Sequence, residues 1–273
     1  MPTKKLKIID CDNTDLQFDE HFPENSIGFR TQNVQLFKTI LHFIEVFLSE
    51  LNFRINSEGI FITSMDSNHI SLIDCFIPCE MLGLYNCQDE IVRGFDFKAL
   101  NKILSHLNYD DDLIMIFNED TTELRYINSK YTKYYTLKNM SIDSDMLDIK
   151  DMVEMTYITM DSKYFSSIIN NFVDIGDNLR IKLLESKKKI SLKSQSDISD
   201  LKIVLNNDDM DIKNFQDICL EFNIKNILSF SKGYNISENI QIKIGPDVPI
   251  QMSFNFKSKG FLHYYVAPKI SDV

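Results

Sequence analysis

The chain has 273 residues and is acidic, with 40 Asp and Glu against 29 Lys and Arg, which gives a net charge of −11. Hydrophobic residues make up 44% and charged residues 25% of the chain, a composition that excludes a collagen, a mostly disordered chain and a disulfide scaffold. The length favours two domains. The negative charge excludes broad adhesion to nucleic acid or anionic membranes, so any DNA contact must use a local basic surface.

The predicted elements alternate between a few helices and many strands. The first 25 residues are polar and are interpreted as a loosely ordered extension. Apolar periodicity predicts helices at Val34–Leu51, Phe97–Leu107, Ser162–Val173 and Phe222–Ser231. Alternation predicts a hairpin that turns at Glu58-Gly59 and strands at Glu123–Asn128, Tyr131–Lys138, Arg180–Leu184, Lys189–Lys193, Leu201–Leu205, Ile240–Ile244 and Pro249–Phe256. This pattern predicts an α+β fold.

Two helical patterns recur along the chain. Phe37-x-x-Ile40-Leu41 returns 128 residues later as Phe165-x-x-Ile168-Ile169, and Lys102-Ile-Leu-Ser105 returns 124 residues later as Asn226-Ile-Leu-Ser229. The similar offsets predict a duplicated unit of about 125 residues. The join is expected in an acidic stretch, so the predicted organisation is an extension at 1–25, a first domain at 26–138, a linker at 139–154 and a second domain at 155–273.

The sequence carries no motif typical of an enzyme. It has no phosphate-binding loop, dinucleotide fingerprint, zinc-protease helix or serine elbow, so no catalysis, cofactor or metal is predicted. Cys75 and Cys79 have the spacing of a metal pair but lack a second pair, and are expected near a sheet core. Asp110-Asp111-Asp112 could serve a metal-dependent nuclease, although a solvated turn fits its position better.

The chain is also expected to act inside a cell. No stretch approaches the ~20 apolar residues that a membrane-spanning helix needs. The N-terminus lacks the apolar segment of a secretory signal. An odd count of five cysteines favours a reducing compartment.

Lysines lie opposite the apolar stripe of each predicted helix, in a chain that is acidic elsewhere. They are Lys38, Lys98, Lys102, Lys163, Lys225 and Lys232. Pattern alone favours ordinary solvated faces. The alternative is that all four helices line one surface that follows DNA phosphates without reading bases.

Two segments carry a resemblance to a known family. The run from Ser64 to Leu72, SMDSNHISL, is similar to the signature of the eukaryotic sliding clamp, proliferating cell nuclear antigen. The run from Leu262 to Ile270, LHYYVAPKI, resembles the ending of that family. Ile175-Gly-Asp177 and Asp247-Val-Pro249 also stand as they do in the family, and the order of elements matches from about Ser26 to Asp272.

The resemblance implies a fold and a function. The family forms a ring of three subunits, each with two similar domains, in which the helices face the hole and the sheets form the rim. The ring encircles duplex DNA and tethers polymerases and other DNA enzymes that carry a short glutamine–aliphatic–aromatic–aromatic motif. An ATP-driven loader opens it, and it has no catalysis of its own. The six lysines would then face the hole. The protein would act in the nucleus, or at a cytoplasmic replication site if it is viral.

The resemblance also implies two sets of site residues. The pocket for partner peptides is expected to use Met65, His69, Ile70, Leu72, Leu147, Ile149, Pro249, Tyr265, Ala267 and Pro268. Tyr135 lies on the strand that adds to a neighbouring subunit near Leu201–Leu205, so Tyr135, Leu201, Ile203 and Leu205 are expected at the subunit interface.

The chain departs from the family on the helices. Thr39, Glu45, Ser105, Ser167 and Asn170 stand where the family usually has basic residues, so DNA attraction is expected to be weaker and less salt-dependent. Two related alternatives stay open: one subunit of a heterotrimeric, checkpoint-type clamp, and a monomeric viral processivity factor.

Overall fold

The computed structural model describes residues 22–23, 26–66, 68–143, 155–206 and 208–269. Within these ranges the chain forms four α-helices, eighteen strands and three single 3₁₀ turns. The helices are α1 (Val34–Ile44), α2 (Phe97–Ser105), α3 (Ser162–Asn170) and α4 (Ile224–Ser231). The strands of the first half are β1 (Gly28–Thr31), β2 (Glu50–Asn56), β3 (Gly59–Met65), β4 (Ser71–Pro78), β5 (Leu84–Asn86), β6 (Ile91–Asp96), β7 (Asp112–Phe117), β8 (Thr121–Ile127) and β9 (Thr132–Lys138). Those of the second half are β10 (Thr156–Asp161), β11 (Asn178–Leu184), β12 (Lys189–Gln195), β13 (Asp200–Leu205), β14 (Asp211–Lys213), β15 (Ile218–Asn223), β16 (Asn239–Ile244), β17 (Ile250–Asn255) and β18 (Phe261–Val266).

The four helices are amphipathic, as their spacing predicts, and three of them begin at a side-chain cap. The carboxylates of Asp96 and Asp161 and the amide oxygen of Asn223 accept backbone N–H bonds in the first turns of α2, α3 and α4. The first helix ends at Ile44, so the prediction that it reaches Leu51 is wrong. Leu51 is buried at the start of β2 instead, because the turn and the strand that follow the helix also fill the core.

The two halves of the chain repeat the same eleven elements. β1 lies between β5 and β7 in the sheet β5-β1-β7-β8-β9. In the second half, β10 lies between β14 and β16 in the corresponding row of strands, β14-β10-β16-β17-β18. The N-caps Asp96 and Asn223 are 127 residues apart, so Lys102 corresponds to Ser229. The predicted offset of 124 for this helix pair is therefore wrong by about one turn, since an amphipathic helix resembles itself when shifted by three residues.

A single sheet joins the two halves. β18 pairs with β4, so nine strands run in the order β14-β10-β16-β17-β18-β4-β3-β2-β6. Beneath this junction the ring of Phe230 on α4 stacks on Tyr264 with centroids 5.2 Å apart, and it also meets Phe43 of α1 at 5.6 Å. Residues of both halves belong to one buried cluster, so the halves share one core. Each large aromatic side chain buried in it contributes about 1.5–3 kcal/mol.

On its other face, the nine-stranded sheet carries an aromatic row. Phe61 lies opposite Phe76, which lies opposite Phe261. The first two rings stack at 4.4 Å, and the guanidinium of Arg54 lies 4.5 Å from the ring of Phe61. None of the helices in the described ranges is long and apolar enough to cross a membrane.

Candidate nucleic-acid interface and partner-binding surfaces

The four helices lie side by side, with their apolar faces on the sheets. α1 contacts α2, α3 contacts α4, and Phe43 of α1 meets Phe230 of α4 at the junction. The order across the molecule is therefore α2-α1-α4-α3. Lys38 and Lys232 line one open cleft between α1 and the end of α4, and Lys163 lines the next, between α3 and the end of α4. Lys38, Lys163 and Lys232 thus line adjoining clefts of this row of helices.

Five of the six predicted lysines are exposed on or at the end of their helices. They are Lys98, Lys102, Lys163, Lys225 and Lys232. Lys38 differs, because its Nζ donates hydrogen bonds to the carbonyl oxygens of Ser105 at 3.2 Å and Leu107 at 3.0 Å. These carbonyls end α2, where a positive charge is favoured by the helix dipole. Lys38 therefore caps a neighbouring helix.

Residues of the predicted peptide pocket meet where β3, β4 and β18 lie side by side. Leu72 lies opposite Met65 on one side and opposite Tyr265 on the other, and all three face away from the helices. Ala267 follows β18, and its backbone N–H donates to the carbonyl of Ile70 at 3.1 Å. The strand register thus brings an aromatic ring and three apolar side chains to one place.

The loop before β4 is held by its own aspartate. The carboxylate of Asp66 accepts the backbone N–H of Ile70 at 2.9 Å and of Ser71 at 2.8 Å. His69 adopts a left-handed conformation with φ of 55°, and Ile70 is 47% exposed. This turn presents both side chains beside the strand row. Pro249 precedes β17 and Pro268 follows Ala267, whereas the predicted pocket residues Leu147 and Ile149 lie outside the described residues.

Two of the strands that end a sheet in the described chain, β9 and β13, carry the predicted subunit-interface residues. β9 pairs with β8 alone, and β13 pairs with β12 alone. The ring of Tyr135 on β9 packs on Tyr126 at 5.0 Å, and its hydroxyl lies 3.3 Å from His106 Nδ1, so this side chain is half-buried under the sheet. On β13, Leu201 and Ile203 are half-buried and Leu205 is buried. Both edges thus offer backbone groups flanked by apolar side chains.

Comparison with known proteins explains this arrangement. The family model for the N-terminal domain of proliferating cell nuclear antigen matches residues 27–148, and that for the C-terminal domain matches residues 148–269. The chain belongs to the proliferating cell nuclear antigen family. It is a DNA sliding clamp, and the resemblance found in the sequence is confirmed.

Individual relatives align along almost their whole length. The clamp is 25% identical to proliferating cell nuclear antigen of Chaetomium thermophilum over 255 residues, which cover 89% of this chain and 98% of the relative. It is 26% identical to the Saccharomyces cerevisiae protein, over 88% and 97% of the two chains. The crystal structure of the Entamoeba histolytica protein matches with a TM-score of 0.83 at 23% identity, over 90% and 99%. The predicted clamp fold is confirmed.

Polar groups other than lysine also lie on the helical surface of this clamp. Tyr109 is 77% and Tyr164 is 43% exposed, and Ser167 and Asn170 follow Tyr164 on the same face of α3. His42 stands one turn after Lys38 on α1. The sequence pointed to Ser167 and Asn170 but not to Tyr109, Tyr164 or His42; the spacing of Tyr164 three residues before Ser167 was the signal that could have found Tyr164. Tyrosine and asparagine side chains are among those that can donate hydrogen bonds to phosphate without adding charge.

The aspartate run of the clamp is used structurally. Asp112 forms an ion pair with Arg30 at 2.6 Å, and the carboxylate of Asp111 accepts hydrogen bonds from the Asn108 N–H, Asn128 and the Tyr131 hydroxyl. Burial raises the pKa of Asp111, but these hydrogen bonds outweigh burial and lower it. No group of three acidic, histidine or cysteine ligands meets within the described ranges, and the nuclease alternative is not needed.

Two further polar details complete the clamp surfaces. Cys75 is fully buried on the inner face of β4, as expected of a strand residue near a sheet core. Cys79 was expected there too, but it lies in the 3₁₀ turn that follows β4 and is a half-buried free thiol. Beside the pocket, His263 stacks on Phe261 at 4.1 Å, and its Nδ1 lies 3.8 Å from Asp74 Oδ2. Burial, with a smaller contribution from Lys243, lowers the pKa of His263 to about 4.

Proposed function

We propose that this sliding clamp closes into a ring of three identical subunits. The observation that carries the proposal is the strand pair β4–β18, which joins the two halves of the chain. In the internal repeat, β13 corresponds to β4 and β9 corresponds to β18. The same kind of pair, made by β9 of one subunit and β13 of the next, would continue the sheet around the ring and cover both edges.

The repeat also gives an expected register for this joint. Tyr135 corresponds to Tyr264, because their partners Leu124 and Met252 hold equivalent places. Leu201 corresponds to Ile73 in the same way, through Ser194 and Ser64. Tyr264 lies opposite Ile73, so Tyr135 should lie opposite Leu201 of the neighbouring subunit. Ile203 and Leu205 then continue the apolar side of the joint.

The helical surface is proposed to face duplex DNA. Its contacts are Lys98, Lys102, Lys163, Lys225 and Lys232, with Lys38 at one end of α2. The lysines attract DNA to this surface, whereas the net charge of −11 on the whole chain repels DNA from the rest. Contacts to phosphates alone leave the ring free to slide.

The pocket around Leu72 and Tyr265 is proposed to hold a partner segment of DNA polymerase or another clamp-motif protein. Its apolar floor and exposed Ile70 suit the aliphatic and aromatic residues of the motif. We also propose that residues 139–154 link domains at 26–138 and 155–273, that an ATP-driven loader opens the ring, and that the protein works in the nucleus without catalysis or cofactor.

Light scattering across a dilution series tests the ring. Three chains of 31.9 kDa have a mass of 95.7 kDa, and we expect that mass at micromolar concentration. A persistent mass of 31.9 kDa would contradict the homotrimer and favour a subunit that needs unlike partners.

A further inference from the structure

At the junction of the two halves, a glycine lies against two phenylalanines. Gly233 follows α4, and a Cβ atom built on it would stand 2.5 Å from the ring of Phe254 and 2.9 Å from the ring of Phe43. Real Cβ atoms essentially never come that close to another atom, so a side chain here would have to displace an aromatic ring. Phe43 belongs to α1 of the other half. The glycine therefore lets the two halves meet with a large ring packed on bare backbone.

The internal repeat puts His106 in the place of Gly233. The N-caps Asp96 and Asn223 are 127 residues apart, and position 106 precedes position 233 by the same number. The side chain of His106 is exposed in the described chain. Because α4 meets α1 at the internal joint, the end of α2 is the place that meets α3 of the next subunit in the proposed ring. A large side chain thus stands where the internal joint has none.

The repeat likewise puts Asn171 in the place of Phe43. The apolar pattern of α1 returns on α3 after 128 residues. The turns that follow keep this offset, because the carbonyl oxygens of Ser49 and Asp177 accept the first N–H of α2 and of α4. Asn171 is exposed at the end of α3. At the joint between subunits, a glycine that meets a phenylalanine is therefore exchanged for a histidine that meets an asparagine.

The two side chains carry matching hydrogen-bonding groups. His106 Nδ1 lies 3.3 Å from the hydroxyl of Tyr135, which is expected at the subunit joint. The amide nitrogen of Asn171 donates to the carbonyl oxygens of Ser167 at 2.7 Å and Ile168 at 3.2 Å. Those bonds fix the amide and leave its Oδ1 as an acceptor. One side of the joint thus offers a ring nitrogen, and the other offers a fixed amide oxygen.

We propose that His106 of one subunit and Asn171 of the next form a hydrogen-bonded pair on the helical side of the joint. This contact rests on the ring proposed above. With the Tyr135 hydroxyl donating to Nδ1, His106 Nε2 carries the ring proton and donates to Asn171 Oδ1. A large apolar side chain at position 171 would collide with the histidine. The pair therefore favours a neighbour with a small polar side chain there, as a second copy of this chain provides.

Paired substitutions test the contact, with the protein concentration at which half of the trimer dissociates as the readout. Asn171→Phe should raise that concentration by about tenfold or more, because the phenyl ring collides with His106. Adding His106→Gly recreates the glycine–phenylalanine pair of the internal joint and should return the concentration to within about threefold of the wild type. The matched control Asn170→Phe, on the face of α3 that carries Tyr164, should leave it unchanged.

Failure of the contact and failure of the ring give different results. A wild-type chain that stays at 31.9 kDa would contradict the ring, and this contact with it. A wild-type trimer that Asn171→Phe does not weaken, or a double variant as weak as Asn171→Phe alone, would overturn the contact while the ring stands. The milder pair His106→Ala and Asn171→Leu repeats the cycle if circular dichroism shows that the first variants fail to fold.

Discussion

Tyr264 and Ile73 lie opposite each other across the strand pair that joins the two halves of the chain. Each has a counterpart in the repeat, Tyr135 and Leu201, and both counterparts stand on edge strands. The internal joint is thus a template for the proposed joint between subunits. Its register predicts which side chains on the outer face meet there, and these can be altered without disturbing the core.

Thr136 is expected to lie opposite Asp200 of the neighbouring subunit, one residue beyond the pair Tyr135–Leu201. Both side chains are exposed in the described chain. Thr136→Asp should weaken the ring because like charges would face each other, and Thr136→Lys should strengthen it. Each change is worth about 0.2–1 kcal/mol per joint. Sedimentation over a concentration series measures the shift of the trimer midpoint in both directions.

The partner substitution provides the control for this register. Asp200→Lys combined with Thr136→Asp should restore the wild-type midpoint, because the charges are then opposite. Equal midpoints for Thr136→Asp and Thr136→Lys would contradict the register.

Tyr265 is predicted to anchor the partner peptide. Tyr265→Ala removes the aromatic wall beside Leu72, and truncation of such an anchor typically weakens binding by about 2 kcal/mol or more, roughly 30-fold. Calorimetric titration with a peptide that carries the clamp motif measures the loss, and the trimer mass should not change. Phe61→Ala, which removes an aromatic ring from the same sheet but outside the pocket, should leave peptide affinity unchanged. Equal affinities of Tyr265→Ala and the wild type would refute the pocket.

The sequence revealed the strand row of this pocket because Met65 and Leu72 belong to one contiguous motif and Tyr265 to another. It could not reveal that Lys38 turns toward the end of α2, since the partners are backbone carbonyls 67 and 69 residues away. Nor could it show where α1 ends, because Leu51 keeps the apolar spacing although it belongs to β2. Local pattern specifies faces and motifs, whereas long-range contacts decide what each side chain meets.

Lys38 and Lys102 should respond differently to loss of charge. Lys38→Met removes the cation at the end of α2 and should lower the free energy of unfolding by about 0.3–1 kcal/mol. Lys102→Met removes an exposed charge and should leave that free energy nearly unchanged. In DNA titrations at several salt concentrations, Lys102→Met should instead reduce the salt slope by about 0.9 for each phosphate that the side chain no longer neutralises. The opposite pattern would exchange the roles assigned to the two lysines.

Reversal of two lysines tests the DNA-facing surface as a whole. Lys102→Glu together with Lys232→Glu places acids on α2 and at the end of α4, where we expect duplex DNA. Stimulation of a polymerase by the loaded clamp should fall, while the trimer mass stays the same. Lys187→Glu with Lys189→Glu changes the same charge in the turn after β11 and at the first residue of β12, and should have little effect. Full stimulation by the first pair would count against the assignment.

His263 should make the stability of the clamp depend on pH. Burial lowers the pKa of His263 to about 4, below the ordinary 6.5, so its neutral form is favoured on folding. The free energy of unfolding therefore keeps its full value above pH 6.5. It decreases as the pH falls toward 4, by about 2 kcal/mol between pH 7 and 5, because protonation of His263 then favours the unfolded chain. Burial raises the pKa of neighbouring Asp74, so protonation of Asp74 partly offsets the loss at the acidic end. Urea unfolding of the wild type and of His263→Phe, which keeps the stacking on Phe261, measures the difference. The variant should lose less stability between pH 7 and 5, and equal losses would show that His263 is not the group responsible.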